Sequence, residues 1–472
     1  MSETRFPALP VAVIGAGPVG LAAAAELIER NIPVLLLEAG DTVGAHIRRW
    51  AHVKMFSPWR FNLSRAATRL LEAEGWQAPP AKAVPTGAEL ISGYLDPLAR
   101  HPAIASALLP GHRVLSISRV GLDKVRTAGR AERPFLLRVL AGGEERDLLA
   151  KAVIDCSGTF SQPNPAGGHG LPARGETALA GRILYGMPDL TGEAGARMAG
   201  KRVAVIGSGH SAIGALLDLL KLRRDIPETE ILWLSRRADL RPTYGGGRAD
   251  ALPDRGALGS KLQQAVENGR IVAIHPFALE AIAEREGQLD LTGFDGRTVM
   301  VDELVVATGF RPDLSMLHEI RLDLDPGLEC PRILAPLIDP NEHSCGTVRP
   351  HGAKELGQPE PGFYIAGMKS YGRAPTFLLA TGYEQVRSIV AEIAGDTAAA
   401  VRVELELPET GVCSTDFASK ALPTGSGCCG GPPKAGPEAC CVQDEAAKAE
   451  GLAGCGCSAA KPERPALQAA CC

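Results

Sequence analysis

The sequence lacks any long hydrophobic run. None of its apolar stretches approaches the roughly 20 residues that a membrane-spanning helix needs, although apolar residues make up 45% of the 472 residues. Aromatic residues are scarce, at 4%, and the net charge is only −4, so nothing predicts a nucleic acid or an anionic membrane as a partner. The opening MSETRFPALP also lacks the apolar region of a secretory signal. These absences predict a cytoplasmic protein.

Cysteine is scarce in most of the chain and abundant at its end. Only Cys156, Cys330 and Cys345 lie in the first 400 residues, whereas nine of the twelve cysteines fall between Cys413 and Cys472. A disulfide framework would distribute its bridges through the fold. The distribution therefore predicts a cysteine-poor globular body with a thiol-rich tail.

A glycine-rich turn follows the first apolar stretch. The run VAVI at 11–14 predicts a buried strand, Leu21–Glu29 predicts an alanine-rich helix, and Pro33–Leu37 predicts a second strand. The turn between the first strand and the helix has G-x-G-x-x-G spacing and is formed by Gly15, Gly17, Pro18 and Gly20. Such glycines permit a sharp turn and a close approach of the backbone to a pyrophosphate. Glu38 follows the second strand, where a carboxylate can bind ribose hydroxyls, so we predict a dinucleotide site.

The same pattern recurs in the middle of the chain. A strand at Arg202–Ile206 leads into Gly207, Gly209 and Ser211, and an apolar helix runs on to Leu222. The next strand, Ile231–Leu234, ends in Ser235, Arg236 and Arg237 instead of an acid. An acid would repel a 2′-phosphate, whereas two guanidiniums and a hydroxyl would bind it. The second unit therefore predicts an NADPH site, with two merely solvated arginines as the alternative.

Two short segments flank the second unit and indicate that it is inserted into the first. Val153–Gly158 precedes it and Leu304–Gly309 follows it, and each is an apolar strand that ends in a small-residue turn. We predict an α/β protein with two Rossmann-like dinucleotide-binding domains. The first comprises residues 1–158 and 304–407, and the second comprises residues 159–303. Residues 408–472 form a predicted disordered, Cys-rich tail, because their composition buries too little surface to offset the entropy of ordering.

With both units placed, residues 8–400 resemble the two-dinucleotide-domain flavoproteins, and among them the flavin-containing monooxygenases. ATGFRPD at 307–313 is similar to the segment that crosses between their domains. GFYIAGMKSYG at 362–372, which includes Gly367, is similar to the late strand that reaches the flavin ribityl chain. Met368 and Lys369 stand where related flavoproteins often have Asp after the glycine. The resemblance implies FAD in the first domain, with NADPH as reductant and O2 as co-substrate.

The resemblance also implies roles for a loop near residue 60. Residues 55–64, MFSPWRFNLS, are similar to the family's Asn-x-Ser segment beside the isoalloxazine ring. That similarity implies that Asn62 helps to stabilise the oxygenated flavin, and a loop asparagine without this role is the alternative. Arg48 and Trp50 lie just upstream, in a loop that such enzymes fold over FAD.

A narrower resemblance involves residues 329–352, ECPRILAPLIDPNEHSCGTVRPHG, together with the cysteine-rich tail. Both are similar to the FAD- and NADPH-dependent monooxygenases of arsenic-resistance operons, which oxidise trivalent organoarsenicals or antimonite. The implied substrates are trivalent arsenic or antimony species, which are converted with O2 into less toxic pentavalent forms.

Trivalent metalloids are thiophilic, and thiolates near one another bind them tightly. The predicted ligands are three adjacent pairs in the tail and two cysteines of the body: Cys428 and Cys429, Cys440 and Cys441, Cys471 and Cys472, Cys330 and Cys345. A buried structural role is the alternative for the body cysteines. Two further functions stay open, namely an NADPH-dependent thiol or disulfide reductase that uses the tail and a metalloid-binding scavenger. No metal site is predicted beyond the metalloid.

Overall fold

Two five-stranded parallel sheets form the framework of the protein, whose computed structural model describes residues 9–245, 253–341, 348–375 and 377–405. The first sheet contains the predicted strands around the first glycine turn, and every pairing in it is parallel. Its strands, in spatial order, are β16 (Phe363–Ile365), β7 (Ala152–Asp155), β1 (Val11–Ile14), β2 (Val34–Leu37) and β3 (Leu108–Leu109).

The second sheet repeats this arrangement around the second glycine turn in four of its five strands. Its strands, in spatial order, are β8 (Ile183–Tyr185), β15 (Glu303–Val306), β9 (Arg202–Ile206), β10 (Glu230–Leu234) and β11 (Val272–Ile274). The sequence analysis assigned Leu304–Val306 to the first domain, whereas β15 pairs with β9 and β8 in the second sheet. This boundary was wrong because an apolar run with a small-residue turn has the same local pattern in either sheet.

Two three-stranded antiparallel sheets were not predicted. They comprise β4 (His112–Arg119), β5 (Phe135–Ala141) and β6 (Glu144–Ala150), and β12 (Leu279–Arg285), β13 (Gln288–Gly293) and β14 (Thr298–Val301). Gly142 and Gly143 both have positive φ and form the two-residue turn between β5 and β6. Such turns match the twist of the paired strands.

The helices vary from single turns to four turns. They are α1 (Pro18–Glu29), α2 (Ala45–Arg48), α3 (Arg65–Ala73), α4 (Gly87–Leu90), α5 (Asp96–Arg100), α6 (Pro102–Ala105), α7 (Glu193–Met198), α8 (His210–Asp225), α9 (Arg241–Tyr244), α10 (Pro253–Glu267), α11 (Ala335–Ile338), α12 (Ala353–Leu356), α13 (Leu379–Ile393) and α14 (Thr397–Val401). The first predicted helix starts earlier than expected, at Pro18, because proline is compatible with the first helical position. Among the described residues, no helix is long and apolar enough to span a membrane.

Each parallel sheet has helices on one face and an antiparallel sheet on the other. Val11 and Val13 pack with α1 and α13, whereas Ala12 and Ile14 pack with β4 and β5. In the second sheet the alternate residues of β9 pack with α8 and α10 on one face and with β12 to β14 on the other. Successive side chains of a strand point to opposite faces, so both sheets need nearly continuous apolar strands.

The chain crosses between the two sheets along two segments that lie side by side. The backbone N–H of Asn164 donates to the carbonyl oxygen of Gly309 at 2.9 Å, and the hydroxyl of Thr308 donates to the carbonyl oxygen of Asn164 at 2.7 Å. The ring of Phe160 stacks on that of Phe310, with centroids 4.9 Å apart. The outgoing and returning strands therefore form one connection.

Candidate functional site

The first glycine turn joins β1 to α1 at the carboxyl edge of the first sheet. Gly15 has φ +93°, and a Cβ there would lie 2.9 Å from the carbonyl oxygen of Cys156. A Cβ on Gly20 would lie 1.8 Å from the carbonyl oxygen of Gly15, whereas a Cβ on Gly17 would meet no atom within 4 Å. Packing therefore requires two of the glycines and leaves the backbone at Gly17 open to a ligand. This geometry fits the pyrophosphate of a dinucleotide.

Glu38 follows β2 and closes the same turn. Its Oε2 accepts a hydrogen bond from the backbone N–H of Ala16, and its Oε1 accepts one from Gly40, both at 2.8 Å. Sequence reasoning missed this structural role. Each carboxylate oxygen has a second lone pair, so the ribose contact of Glu38 stays a compatible prediction.

Arg48 and Trp50 hold the loop that contains α2. An Nη of Arg48 lies 2.5 Å from Oδ1 of Asp96, and its Nε donates to the carbonyl oxygen of Val43. The ring of Trp50 packs so closely against Gly87 that a Cβ there would lie 2.9 Å from it. Both side chains thus attach the loop to the neighbouring helices α4 and α5, and their contact with FAD stays a prediction.

Asn62 is completely buried by protein. Its Nδ2 donates to the carbonyl oxygen of Ser57 at 2.7 Å, and its Oδ1 accepts from the hydroxyl of Ser57 at 2.8 Å. Its carbonyl oxygen accepts from the Tyr383 hydroxyl at 2.8 Å. In this structure the amide closes its own loop, which corresponds to the structural alternative, and its role beside the flavin stays a prediction.

Gly367 lies after β16, and its φ of +70° is accessible mainly to glycine. Its N–H donates to Oε1 of Gln385 on α13 at 2.8 Å. Two residues further on, Nζ of Lys369 lies 2.6 Å from Oδ2 of Asp155 and 3.0 Å from Oγ of Ser157. Sequence reasoning missed this buried ion pair, whose only local signal was a lysine inside an apolar segment.

The second glycine turn joins β9 to α8 and repeats the geometry of the first. Gly207 has φ +138°, and a Cβ there would lie 2.3 Å from the carbonyl oxygen of Ala307. A Cβ on Gly209 would meet no atom within 4 Å. Ser211 lies in the first turn of α8 and is partly exposed. The second turn therefore also fits a dinucleotide, with Gly209 in the position of Gly17.

The end of β10 separates the three predicted NADPH ligands into two groups. Arg236 and Arg237 are exposed, and Nη1 of Arg236 lies 3.5 Å from the carbonyl oxygen of Gly168. Ser235 is buried instead, with its hydroxyl 2.8 Å from that of Ser208 and 3.2 Å from the backbone N of Arg237. The hydroxyl therefore shapes the loop, and the two guanidiniums are the groups available to a 2′-phosphate.

We call the part of the molecule built on the first parallel sheet the first half and the part built on the second parallel sheet the second half. The loop at residues 55–64, which was predicted to lie beside the flavin, belongs to the first half and contacts the second glycine turn. The rings of Phe56 and His210, the first residue of α8, have centroids 5.4 Å apart. Nearby, Nζ of Lys54 lies 3.4 Å from Oδ1 of Asp254 at the start of α10. Residues 54–56 thus bring the two candidate sites together.

Two of the three body cysteines, Cys156 and Cys330, lie among the described residues, and both are buried. Cys330 has no exposed surface and packs in the core around α1 and α13, and burial raises the pKa of its thiol to about 12. Burial also raises the pKa of the Cys156 thiol well above its ordinary value. Metalloids bind the thiolate, so the burial of Cys330 corresponds to its structural alternative, and its role as a metalloid ligand stays a prediction. Cys345 and the six predicted tail ligands lie outside the described residues, among which no metal-binding cluster occurs.

Residues 9–330 match the model of the pyridine nucleotide-disulphide oxidoreductase family. This match covers more than half of the chain, which therefore belongs to that family. The predictions of an α/β dinucleotide-binding fold and of an oxidoreductase with FAD and NADPH as cofactors are confirmed.

Individual relatives include both oxygenases and reductases. The chain is 27% identical over 220 residues to the indole-3-pyruvate monooxygenase YUCCA1 of Oryza sativa subsp. japonica, a match of 46% of this chain and 47% of that protein. It is 25% identical over 319 residues to the ferredoxin–NADP reductase of Gluconobacter oxydans (strain 621H), or 66% of this chain and 76% of the relative. The chain thus spans about half the length of the first relative.

A solved structure with a similar fold is that of the bacillithiol disulfide reductase Bdr (YpdA) from Bacillus cereus. The TM-score is 0.60 at 19% identity, and the match covers 81% of this chain and 99% of the reductase. The likeness establishes the fold, and the reaction has to be argued from the site.

Proposed function

We propose that the protein is a cytoplasmic NADPH- and FAD-dependent monooxygenase that oxidises trivalent arsenicals or antimonite to pentavalent forms. The observation that carries the proposal is that the described residues form two dinucleotide turns and bury both of their thiols. Burial raises the pKa values of the Cys156 and Cys330 thiols, so neither is suited to take electrons from a flavin. O2 is an acceptor that needs no such thiol, and the likeness to YUCCA1 supports it.

The proposed reaction balances with one NADPH, one proton and one O2. NADPH supplies two electrons, one oxygen atom is transferred to the lone pair of the metalloid, and the other leaves as water. FAD, when bound, supplies the redox chemistry between NADPH and O2, because no amino-acid side chain carries out that chemistry. The chain aligns the cofactors through the turns at Gly17 and Gly209, and it selects NADPH through Arg236 and Arg237.

The metalloid itself is inferred from the sequence of residues 329–352 and from the three adjacent cysteine pairs after residue 427. Vicinal thiolates bind soft trivalent metalloids. Oxidation removes the lone pair and with it most of the affinity for thiols, so a captured substrate would leave as product. We therefore assign the tail to capture and the flavin site to oxidation.

A disulfide reductase is the competing function, because the fold resembles Bdr and the tail contains paired thiols. Reduction of a disulfide by thiol–disulfide exchange needs at least one reactive thiolate that reaches the substrate. The two described cysteines, which lie in one apolar core, are a poor match to that need. The tail pairs are the alternative carriers, so the two functions differ in what the tail does.

The first experiment measures NADPH and O2 consumption by the full-length, FAD-loaded protein with and without trivalent methylarsenical, arsenite and antimonite. The proposal predicts that one of them stimulates both rates equally and yields the pentavalent product in the same amount. If none stimulates, and a disulfide substrate is reduced without O2, the reductase replaces the monooxygenase.

A second experiment replaces the six cysteines of the tail pairs with serine in the full-length chain. Capture by the tail predicts a higher KM for the metalloid with kcat retained. Loss of kcat for every substrate would favour the reductase, and loss of binding in a protein that never oxidised a metalloid would favour the scavenger. Cys413→Ser, which replaces a single tail cysteine outside these pairs, is the matched control, and it is expected to leave both KM and kcat unchanged.

A further inference from the structure

Lys369 is a charged side chain with no exposed surface beside the first glycine turn. Its partner, Asp155, is equally buried and is the last residue of β7. Asp155 is in register with Ile14, the residue before Gly15, so the ion pair lies at the carboxyl edge of the sheet. Ligands of open parallel sheets bind at that edge.

The ion pair is part of a closed ring of hydrogen bonds. Nζ of Lys369 donates to Oδ2 of Asp155 and to the Ser157 hydroxyl, and that hydroxyl donates to Oδ1 of Asp155 at 2.7 Å. The Cα of Ser157 lies 3.0 Å from the position that a Cβ of Gly15 would occupy. The ring therefore fixes the position of Ser157, whose backbone packs against Gly15 of the first glycine turn.

The charge of Lys369 also matters to an anionic ligand. Without it, the Asp155 carboxylate would be an uncompensated negative charge next to a turn that is shaped for a pyrophosphate. Salt in the solvent screens buried charges poorly, so the compensation has to come from the protein. The second sheet has no such requirement, because β15 ends in Val306 and Ala307 follows it.

We propose that Lys369 is a positioning residue of the FAD site, which neutralises Asp155 and holds Ser157 against Gly15 so that the turn accepts an anionic pyrophosphate. The inference rests on the binding of FAD at this turn and does not depend on which substrate is oxidised. The role differs from that of a stabilising contact, because a buried ion pair by itself adds little stability over an apolar pair.

The test removes FAD from the full-length protein and titrates it back, with flavin fluorescence as the readout and without NADPH or metalloid. Lys369→Met leaves Asp155 uncompensated, and we expect the Kd for FAD to rise about tenfold or more. Asp155→Asn keeps the lysine charge, so the Kd is expected to stay constant or fall. Equal weakening by both substitutions would overturn the proposal.

The double variant Lys369→Met with Asp155→Asn removes both charges. Its Kd is expected to return to within about threefold of the wild-type value, and a Kd as weak as that of Lys369→Met would contradict the role in charge compensation. If Lys369→Met does not fold, the Kd values for FAD of the Asp155→Asn variant and of the double variant still test the proposal. Lys151→Met, an exposed lysine just before β7, is the matched control.

Two further readouts separate this inference from other failures. NADPH binding at the second turn is expected to be the same in all variants, whereas a general loss of structure would weaken it together with FAD binding. Tight FAD binding with the predicted pattern of Kd values, in a protein that oxidises no metalloid, would reject the proposed function and support the role of Lys369.

Discussion

The two halves of the molecule share one architecture and differ in where they place charge. Four strands of each sheet, β7-β1-β2-β3 and β15-β9-β10-β11, have the same spatial order, and both sheets have helices on one face and three antiparallel strands on the other. The fifth strand differs, because β16 is the last of its sheet in the chain and β8 is the first of its own. In both, the first glycine of the turn packs against the carbonyl oxygen that follows a neighbouring strand, that of Cys156 or of Ala307. The geometry of the turn is therefore common to both sites.

The charges at the carboxyl edges are different in the two halves. The first half has Glu38 after β2 and the buried pair of Asp155 and Lys369 after β7 and β16. The second half has exposed Arg236 and Arg237 after β10 and no charged residue at the end of β15. From this comparison we expect the glycines to determine whether a dinucleotide is accepted and the residues at the strand ends to determine which dinucleotide binds.

The largest expected effects on the free energy of unfolding come from the two glycine turns, where a closely packed glycine can be compared with an open one. Gly20→Ala and Gly207→Ala force a Cβ against a carbonyl oxygen, and we expect each to cost more than about 3 kcal/mol in free energy of unfolding. In Gly17→Ala and Gly209→Ala the added Cβ meets no atom, and both positions are helix N-caps, so we expect each to lower the free energy of unfolding of the cofactor-free protein by no more than about 1 kcal/mol.

Ligand titrations then complete the comparison. Gly17→Ala is expected to weaken FAD alone and Gly209→Ala to weaken NADPH alone, each about tenfold or more. Unfolding curves and both titrations measure this directly. A Gly17→Ala protein that loses as much stability as Gly20→Ala would show that the two positions are not distinct.

A large effect is also expected at Glu360, which lies between two arginines in the first half. Its carboxylate accepts hydrogen bonds from Nε of Arg119 and from Nε of Arg130, both at 2.8 Å, and is fully buried. Removing the charge leaves two buried guanidiniums without a counter-ion, so Glu360→Gln should lower the free energy of unfolding by about 3–5 kcal/mol at neutral pH.

The same group predicts a dependence on pH. Burial alone would raise the pKa of Glu360, but hydrogen bonds from Arg130 and Arg119 hold it below its ordinary value. Its stabilisation is therefore complete above the unfolded pKa of about 4.3 and is lost as the pH falls through the lower folded pKa. Urea unfolding across this range should show a steep loss for the wild type and a shallower one for Glu360→Gln.

Circular dichroism, which follows the unfolding of both halves, is the readout for each variant. Glu303→Gln is the control in the second half, because Glu303 is paired with a more exposed arginine, Arg197. If the free energy of unfolding had the same pH dependence in Glu360→Gln and in Glu303→Gln, the two halves would not differ in the role of their buried carboxylates.

A smaller effect is expected at the end of β10. Replacing Arg236 and Arg237 together with alanine should raise the KM for NADPH about 10- to 100-fold, because charge-assisted hydrogen bonds to a phosphate contribute roughly 1.5–3 kcal/mol. The KM for NADH should hardly change. Arg224→Ala, an exposed arginine at the end of α8, is the control. Equal changes for both nucleotides would contradict the assignment of NADPH.

The smallest effect is expected at Ser235. Its buried hydroxyl holds Ser208 and the backbone of Arg237, so Ser235→Ala should lower the free energy of unfolding by about 1 kcal/mol and raise the KM for NADPH less than about threefold. Steady-state kinetics provide the measurement. A KM as high as that of the double arginine variant would mean that the hydroxyl contacts the phosphate after all.

The sequence predicts well those strands and turns that depend on residues close together in the chain. The turns at Gly15 and Gly207 and the strands that flank them follow from spacing and apolar runs that occupy about 30 residues each. The structure confirms β1 and β9 with the predicted bounds.

The parts that were missed depend on contacts between distant residues. Lys369 and Asp155 are 214 positions apart, and nothing near either residue indicates the other. Local pattern also could not show that β15 joins the second sheet. Cysteine and asparagine in loops often have functional roles, which is why Cys330 and Asn62 were predicted as site residues. Only the structure shows that both are buried inside the protein.

The side-by-side crossover segments have a consequence for how such an enzyme can change over time. Because Asn164 and Gly309 are hydrogen-bonded neighbours, the chain between them starts and finishes at one place. A block of this kind can be exchanged by recombination without opening a gap in the remainder. The second dinucleotide-binding unit is thus a segment that can be replaced as a whole, with its two ends joined to the same neighbouring positions of the first unit.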